Sequence, residues 1–237
     1  MYLRTLFALG TLLASLTFTL LIFECSYLDL RIQDLFYKTD SGQWLIPREA
    51  ALVRAFCYHG MKYGVILIGL SALVACCLPT RIRRGPVHLS GIPRRAFLGV
   101  VIMIVSLPSF VGFLKSNTDV YFPSQVERYG GSEPYFRLFD DRPGNREPGD
   151  RGRGFPAGHA SGGFALISLV FISPPSRRRK VLLFALAYGS IMAAYQTLNG
   201  AHYVSHSLVT VHLAFIFLIV IGAILRLPII NEIPHES

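Results

Sequence analysis

Charge is scarce in this chain. Only 16% of its 237 residues are Asp, Glu, Lys or Arg. A soluble domain of this length would carry more, so no separate soluble module is expected. Cysteine is scarce too. The four present form no CxxC pair, which argues against a zinc ribbon. Cys76 and Cys77 fall inside an apolar run and read as inert packing residues. Cys25 and Cys57 flank the first loop, where a disulfide is open to them but no framework spacing supports one. No glycine-rich nucleotide loop occurs, so ATP is not an obvious donor. No small-x-small cleavage site follows the first apolar run, and Phe23-Glu24-Cys25 makes a poor lipoprotein site, so an uncleaved first span is expected. No repeat stands out.

What the chain does have is apolar length. It is 52% hydrophobic, arranged in runs separated by short charged loops. A helix crossing the hydrocarbon layer needs about 20 mostly apolar residues. Six runs fit, the fourth being short: Leu6–Phe23, Tyr63–Leu78, Ala96–Leu114, Ala160–Ser173, Val181–Leu198 and Leu208–Leu225. Pro108 reads as a kink in the third. The expected fold is an all-α polytopic membrane helix bundle, one domain over residues 1–237, with an extended outer loop at 115–158.

The net charge of +9 and pI near 9.7 do not point to nucleic acid. The arginines sit mostly in short loops, where they record orientation. Arg81, Arg83, Arg84, Arg94 and Arg95 lie between spans two and three, and Arg177, Arg178, Arg179 and Lys180 between spans four and five. Both loops are expected in the cytoplasm, with both termini. The Gly- and Pro-rich loop from Lys115 to Gly158 then faces outward, its basic and acidic residues in balance. A loop of that length is often functional.

Two segments carry the chemical signal: Phe155-Pro156-Ala157-Gly158-His159-Ala160-Ser161 at the outer end of span four, and Gly200-Ala201-His202-Tyr203-Val204-Ser205-His206 at the outer end of span six. By the orientation argument they share one face of the membrane. That pattern suits phosphoryl transfer. One imidazole can attack phosphorus covalently and a second can protonate the leaving oxygen. The Gly158 N–H at a helix start can hold a phosphate oxygen. Lysine and arginine can neutralise the others. A plainer reading makes each histidine an interfacial hydrogen-bonding residue, Lys115 a snorkelling side chain and Ser161 a helix-facing hydroxyl. His202 and His206 also have a metal-ligand spacing, but no Glu lies between them and His212 points elsewhere by helical phase.

At these residues the chain resembles the type 2 phosphatidic acid phosphatase family, whose six-span domain carries three motifs: a lysine and an Arg-Pro with six residues between them; Pro-Ser-Gly-His; and Ser-Arg, a histidine after five intervening residues and an aspartate after three more. The second stands here as Pro156-Ala157-Gly158-His159, with alanine for serine. The resemblance implies that His159 is the general acid, His202 the nucleophile, His206 the replacement for the orienting aspartate and Lys115 the first motif's lysine. Two arginines are absent: Gln196 stands six residues before His202, and Phe122-Pro123 replaces Arg-Pro. Arg128, Arg142 and Arg153 are the loop candidates to replace them, Arg142-Pro143 and Arg153 being preferred. Arg128, Arg137 and Arg146 have a competing reading as partners of loop acids. With Gly158 and Ser161, these residues make the expected phosphate site. The implied partner is a phosphorylated lipid: phosphatidic acid, phosphatidylglycerol phosphate, undecaprenyl pyrophosphate or lipid A. No metal or other cofactor is expected. A lipid-to-lipid phosphotransferase, or a non-catalytic lipid-binding or transport protein on the same scaffold, is the alternative.

Overall fold

The computed structural model describes residues 2–79, 82, 89, 91–142 and 151–227. Arg81, Arg83, Arg84, Pro143 and Arg146 therefore lie outside the described residues. The chain is an all-α membrane helix bundle. Helix α1 (Tyr2–Glu24) is followed by the short α2 (Leu28–Asp34) and a two-stranded hairpin, β1 (Tyr37–Lys38) paired antiparallel with β2 (Gln43–Trp44). Helix α3 (Ala51–Cys77) contains a π-helical turn at Ala55–Gly60. Next come α4 (Arg94–Lys115), α5 (Gly158–Ala165) with a 3₁₀ continuation at Leu166–Phe171, α6 (Pro175–Leu198) and α7 (Val204–Ile224).

Five of these helices, α1, α3, α4, α6 and α7, are long and apolar enough to cross a membrane. The expected second span is longer than its apolar run suggests, because Ala51 to Cys77 is one helix. Helix α4 runs through Pro108. Large apolar side chains face outward on α1, α3 and α4, among them Phe7, Phe18, Leu67 and Phe113. Such a surface is unstable in water and stable against lipid.

The fourth span departs from the others. Gly158–Phe171 is shorter than the five long helices. Its second half is 3₁₀, which rises about 2.0 Å per residue, so the segment reaches about 24 Å. It is the centre of the bundle: Ala160, Ala165, Leu166 and Ile167 are fully buried, packed by α4, α6 and α7. A helix enclosed by protein does not have to match the lipid thickness by itself. Its contact with α6 is close, since a Cβ on Gly163 would stand 2.8 Å from the Gly189 Cα.

The first loop and the long loop close over the same end of the bundle. Arg128 pairs with Asp34, and Tyr37, Trp44 and Tyr129 cluster with ring centroids 4.9 to 5.3 Å apart. The long loop is ordered there by 3₁₀ turns at Pro123–Gln125 and Glu127–Tyr129. Cys25 and Cys57 do not pair; all four thiols are free.

Candidate active site

The position of His202 is set by how α6 ends. Gly200 has φ +73°, the left-handed region. Its N–H donates to Thr197 O (3.2 Å), and the Ala201 N–H donates to Gln196 O (2.8 Å). These two bonds are a Schellman cap with glycine at its left-handed position. Gln196 O also accepts the His202 N–H at 3.1 Å, so the cap delivers His202 directly. The first loop satisfies the carbonyls that the helix end leaves over. Gln33 Nε2 donates to Thr197 O (2.8 Å) and the Ile46 N–H to Leu198 O (3.2 Å). Arg48 donates to Asn199 O (3.2 Å) and Gly200 O (3.4 Å) and also bonds Ser124.

Helix α7 starts two residues after His202 and carries His206 on its first turn. The two imidazoles meet Nδ1 to Nδ1 at 3.4 Å. They are 3% and 2% exposed, and the Gly154 backbone is a hydrogen-bond partner of both. Burial pushes the His202 pKa well below the usual histidine value; the charges of Lys115 and His206 add to the effect. His202 is therefore neutral.

Helix α5 is clasped to the same turn. The Ala157 N–H donates to His206 O (3.1 Å), and Thr210 Oγ1 donates to Ala157 O (3.2 Å). Gly158 opens the helix, and a Cβ there would meet Lys115 Nζ at 3.3 Å. Lys115 thus turns inward against the helix start, with its ammonium 5.2 Å over the Phe122 ring. Its charge acts on His159, His202 and His206 alike. His159 stacks on Tyr58 (centroids 4.2 Å apart, 6° between planes), and its Nε2 lies 3.4 Å from Cys57 O. Both contacts come from the π-helical turn of α3. Among the described residues, Nδ1 of His159 has no protein partner.

The structure therefore brings Lys115, Gly158, His159, His202 and His206 together. It treats the other expected phosphate ligands differently. Ser161 is fully buried and donates to Gly158 O (2.6 Å), the helix-facing arrangement. Arg128 is committed to Asp34 through two bonds of 2.8 and 2.7 Å. Arg142 donates to Asp119 O (3.2 Å), Arg137 O (2.7 Å) and Asp140 O, holding the loop's own backbone. Arg153 is exposed and has no side-chain partner among the described residues. It sits beside Gly154, whose backbone touches both imidazoles. Phe122, at the first motif's arginine position, has its ring 5.5 Å from His202. That position keeps its place at the site and has lost its charge.

Sequence reasoning missed Tyr58, Arg48, Gln33 and Asp29. Asp29 is 6% exposed and accepts bonds from the Ser205 N–H (3.1 Å) and the Ser205 hydroxyl. All four precede His159 and His202 by more than a hundred residues and carry no spacing signal that ties them to either. His212 does point elsewhere, its Nε2 2.9 Å from Ser15 Oγ on α1.

Comparison with curated proteins and with solved structures returned no match. Comparison with protein families returned one that matches residues 96–227, more than half of the chain, including Lys115 and both histidine segments. The chain belongs to the PAP2 superfamily, whose members are phosphatases acting on phosphate esters, often those of lipids.

Proposed function

We propose that this protein is a membrane lipid phosphatase that works through a phosphohistidine intermediate. The observation that carries the reading is the convergence of His202, His206, His159 and Lys115 at the outer end of one bundle. His202 uses Nδ1 toward His206 and so keeps Nε2 for phosphorus. Its lone pair forms the P–N bond as the bond from phosphorus to the leaving oxygen breaks. His159 gives that oxygen a proton. Water then attacks the phosphohistidine, His159 takes the water's proton, and the P–N bond breaks to release phosphate. Lys115, Arg153 and the Gly158 N–H hold the oxygens in which charge builds up.

The substrate is a phosphate monoester or pyrophosphate of a lipid, reached from the bilayer. The loop charges support an active site on the periplasmic side of a bacterial inner membrane, with both termini in the cytoplasm. A lipid acceptor in place of water would make the same first half-reaction a phosphotransfer.

The test is phosphate release by the purified protein in detergent, with a panel of phosphorylated lipids and a chelator present. Turnover should be lost in His202→Ala and in His159→Ala while membrane insertion is unchanged. Full activity in His202→Ala removes the nucleophile, and activity abolished by chelator replaces this mechanism with a metal-dependent one.

A further inference from the structure

Among the described residues, Asp29 is the one buried carboxylate beside the histidines that the mechanism above does not use. It reaches the site from α2, outside the segment matched to the superfamily. Its two bonds go to Ser205, next to His206 in sequence. A carboxylate offers about four acceptor positions, so some remain open. Behind His206 lies a cavity of about 30 Å³. It is lined by Asp29, Tyr135, Arg137, Tyr203, Ser205 and His206, and Glu24 of α1 also faces it. The Tyr203 hydroxyl is buried there without a hydrogen-bond partner. Its other walls are apolar, Leu20, Phe155 and Val209 among them, and a cavity of this size holds about one water only where two to four polar partners face it. Tyr203, Asp29 and His206 supply three.

We propose that Asp29 is the terminal proton acceptor of a relay running from His202 through His206 and one water in this cavity, and that it stands in for the orienting aspartate the third motif lacks. The proposal rests on the phosphohistidine reading. As His202 Nε2 bonds to phosphorus, its Nδ1 proton passes to His206 Nδ1. His206 releases its Nε2 proton to the water, and the water passes one of its own to Asp29. The phosphohistidine is then neutral. In the second half-reaction the proton returns along the same path, and the imidazole leaves phosphorus as the P–N bond breaks.

Burial costs a carboxylate free energy unless it is paired with a cation, and here the pKa of Asp29 is raised to about 6 by burial, against the bonds from Ser205. A cap on the first turn of α7 would be served as well by an uncharged Asn. The placement of a charged group therefore calls for a role beyond holding the helix. The groups facing Asp29 are Glu24 from α1, Tyr135 and Arg137 from the long loop, and Tyr203 and His206 from the last loop and α7.

Asp29→Asn tests this in the full chain in detergent, with phosphatidic acid in mixed micelles as the probe. The relay predicts a fall in kcat of about 100-fold, the scale of a lost proton-transfer partner. KM should stay within about two-fold, and the melting temperature at pH 7.5 should be equal to or above that of the parent. The acid limb of the kcat profile near pH 6 should disappear with the carboxylate. A parental kcat in Asp29→Asn, with His202→Ala inactive, overturns the relay and leaves the phosphatase reading standing. A loss of kcat that tracks a lowered melting temperature also overturns it, because Asp29 is then only a cap. Activity absent from the parent on the whole panel of phosphorylated lipids, or retained in His202→Ala, overturns the phosphatase reading itself.

Discussion

His202 and His206 face each other through the same ring atom, Nδ1 to Nδ1 at 3.4 Å. A hydrogen bond between two such atoms needs a proton on one and a lone pair on the other. The pair therefore fixes complementary tautomers, and the one that donates from His202 leaves its Nε2 unprotonated. An imidazole in the place of a carboxylate orients its partner without adding a fixed charge. His206→Ala should lower kcat by about 10- to 100-fold, the usual scale for removing an orienting partner. His206→Asp should retain more activity than His206→Ala. Equal rates in the two variants would show that residue 206 does not orient His202.

The buried His202 makes stability depend on pH with a definite sign. Its folded pKa lies below its unfolded value, so its contribution is complete above pH 6.5 and is lost as the pH falls below that. In that window the unfolded state binds a proton that the folded state does not, a slope of about 1.4 kcal/mol per pH unit. Asp29 works in the opposite direction. Its folded pKa of about 6 exceeds the ordinary aspartate value of 3.8, so folding binds a proton between those limits and gains stability as the pH falls. The two slopes offset each other from about pH 6 to pH 4. Melting temperatures of Asp29→Asn should therefore fall more steeply with acidification than those of the parent, and parallel curves would contradict the assignment.

Gly200 combines a left-handed backbone with a crowded site. A Cβ there would stand 2.2 Å from Trp44 Cε2. Gly200→Ala should destabilise by about 1–3 kcal/mol from backbone strain alone and should reduce turnover, because His202 hangs from the same cap. Adding Trp44→Ala should restore only part of the stability, since φ stays positive. Full recovery in thermal unfolding would mean that the clash, not the backbone, was the obstacle.

The loop arginines divide by their present partners. The Arg128–Asp34 pair is exposed (52% and 37%), so Arg128→Ala should cost about 0–1 kcal/mol of stability and leave turnover unchanged. Arg153→Ala should lower kcat/KM by about 10-fold or more, the scale of a lost charge-assisted bond to phosphate. Phe122→Arg in that background should recover part of the loss, because position 122 already faces His202. Kinetics in mixed micelles distinguishes these outcomes.

The helices and the shared end of the two histidine segments were legible in the residues, written locally as apolar runs and as Gly-Ala-His or Ala-Gly-His segments. A role for Lys115 at the site came only from the family resemblance, because a cation at a helix end reads equally well as a snorkelling side chain. The cover over the site was not legible. Gln33, Arg48 and Trp44 act through backbone carbonyls and a glycine on α6 or just past its end, and no local pattern in residues 28–50 marks them for that. Arg128 was ambiguous for the same reason. A loop guanidinium looks alike in sequence whether it meets Asp34 or a phosphate. Where the second span starts was open before Tyr63, because polar first turns, including His59 and Lys62, carry the helix back to Ala51.

The cap on α6 bears on what can fold alone. Gln33, Ile46 and Arg48 bond four successive carbonyls, from Thr197 to Gly200, yet they lie outside residues 96–227. A polypeptide cut to that matched stretch would expose those acceptors and lose the wall that Trp44 provides. The recognisable portion of the sequence and the autonomous folding unit are different lengths of chain here, and excising the former should yield a bundle whose reactive corner has come undone.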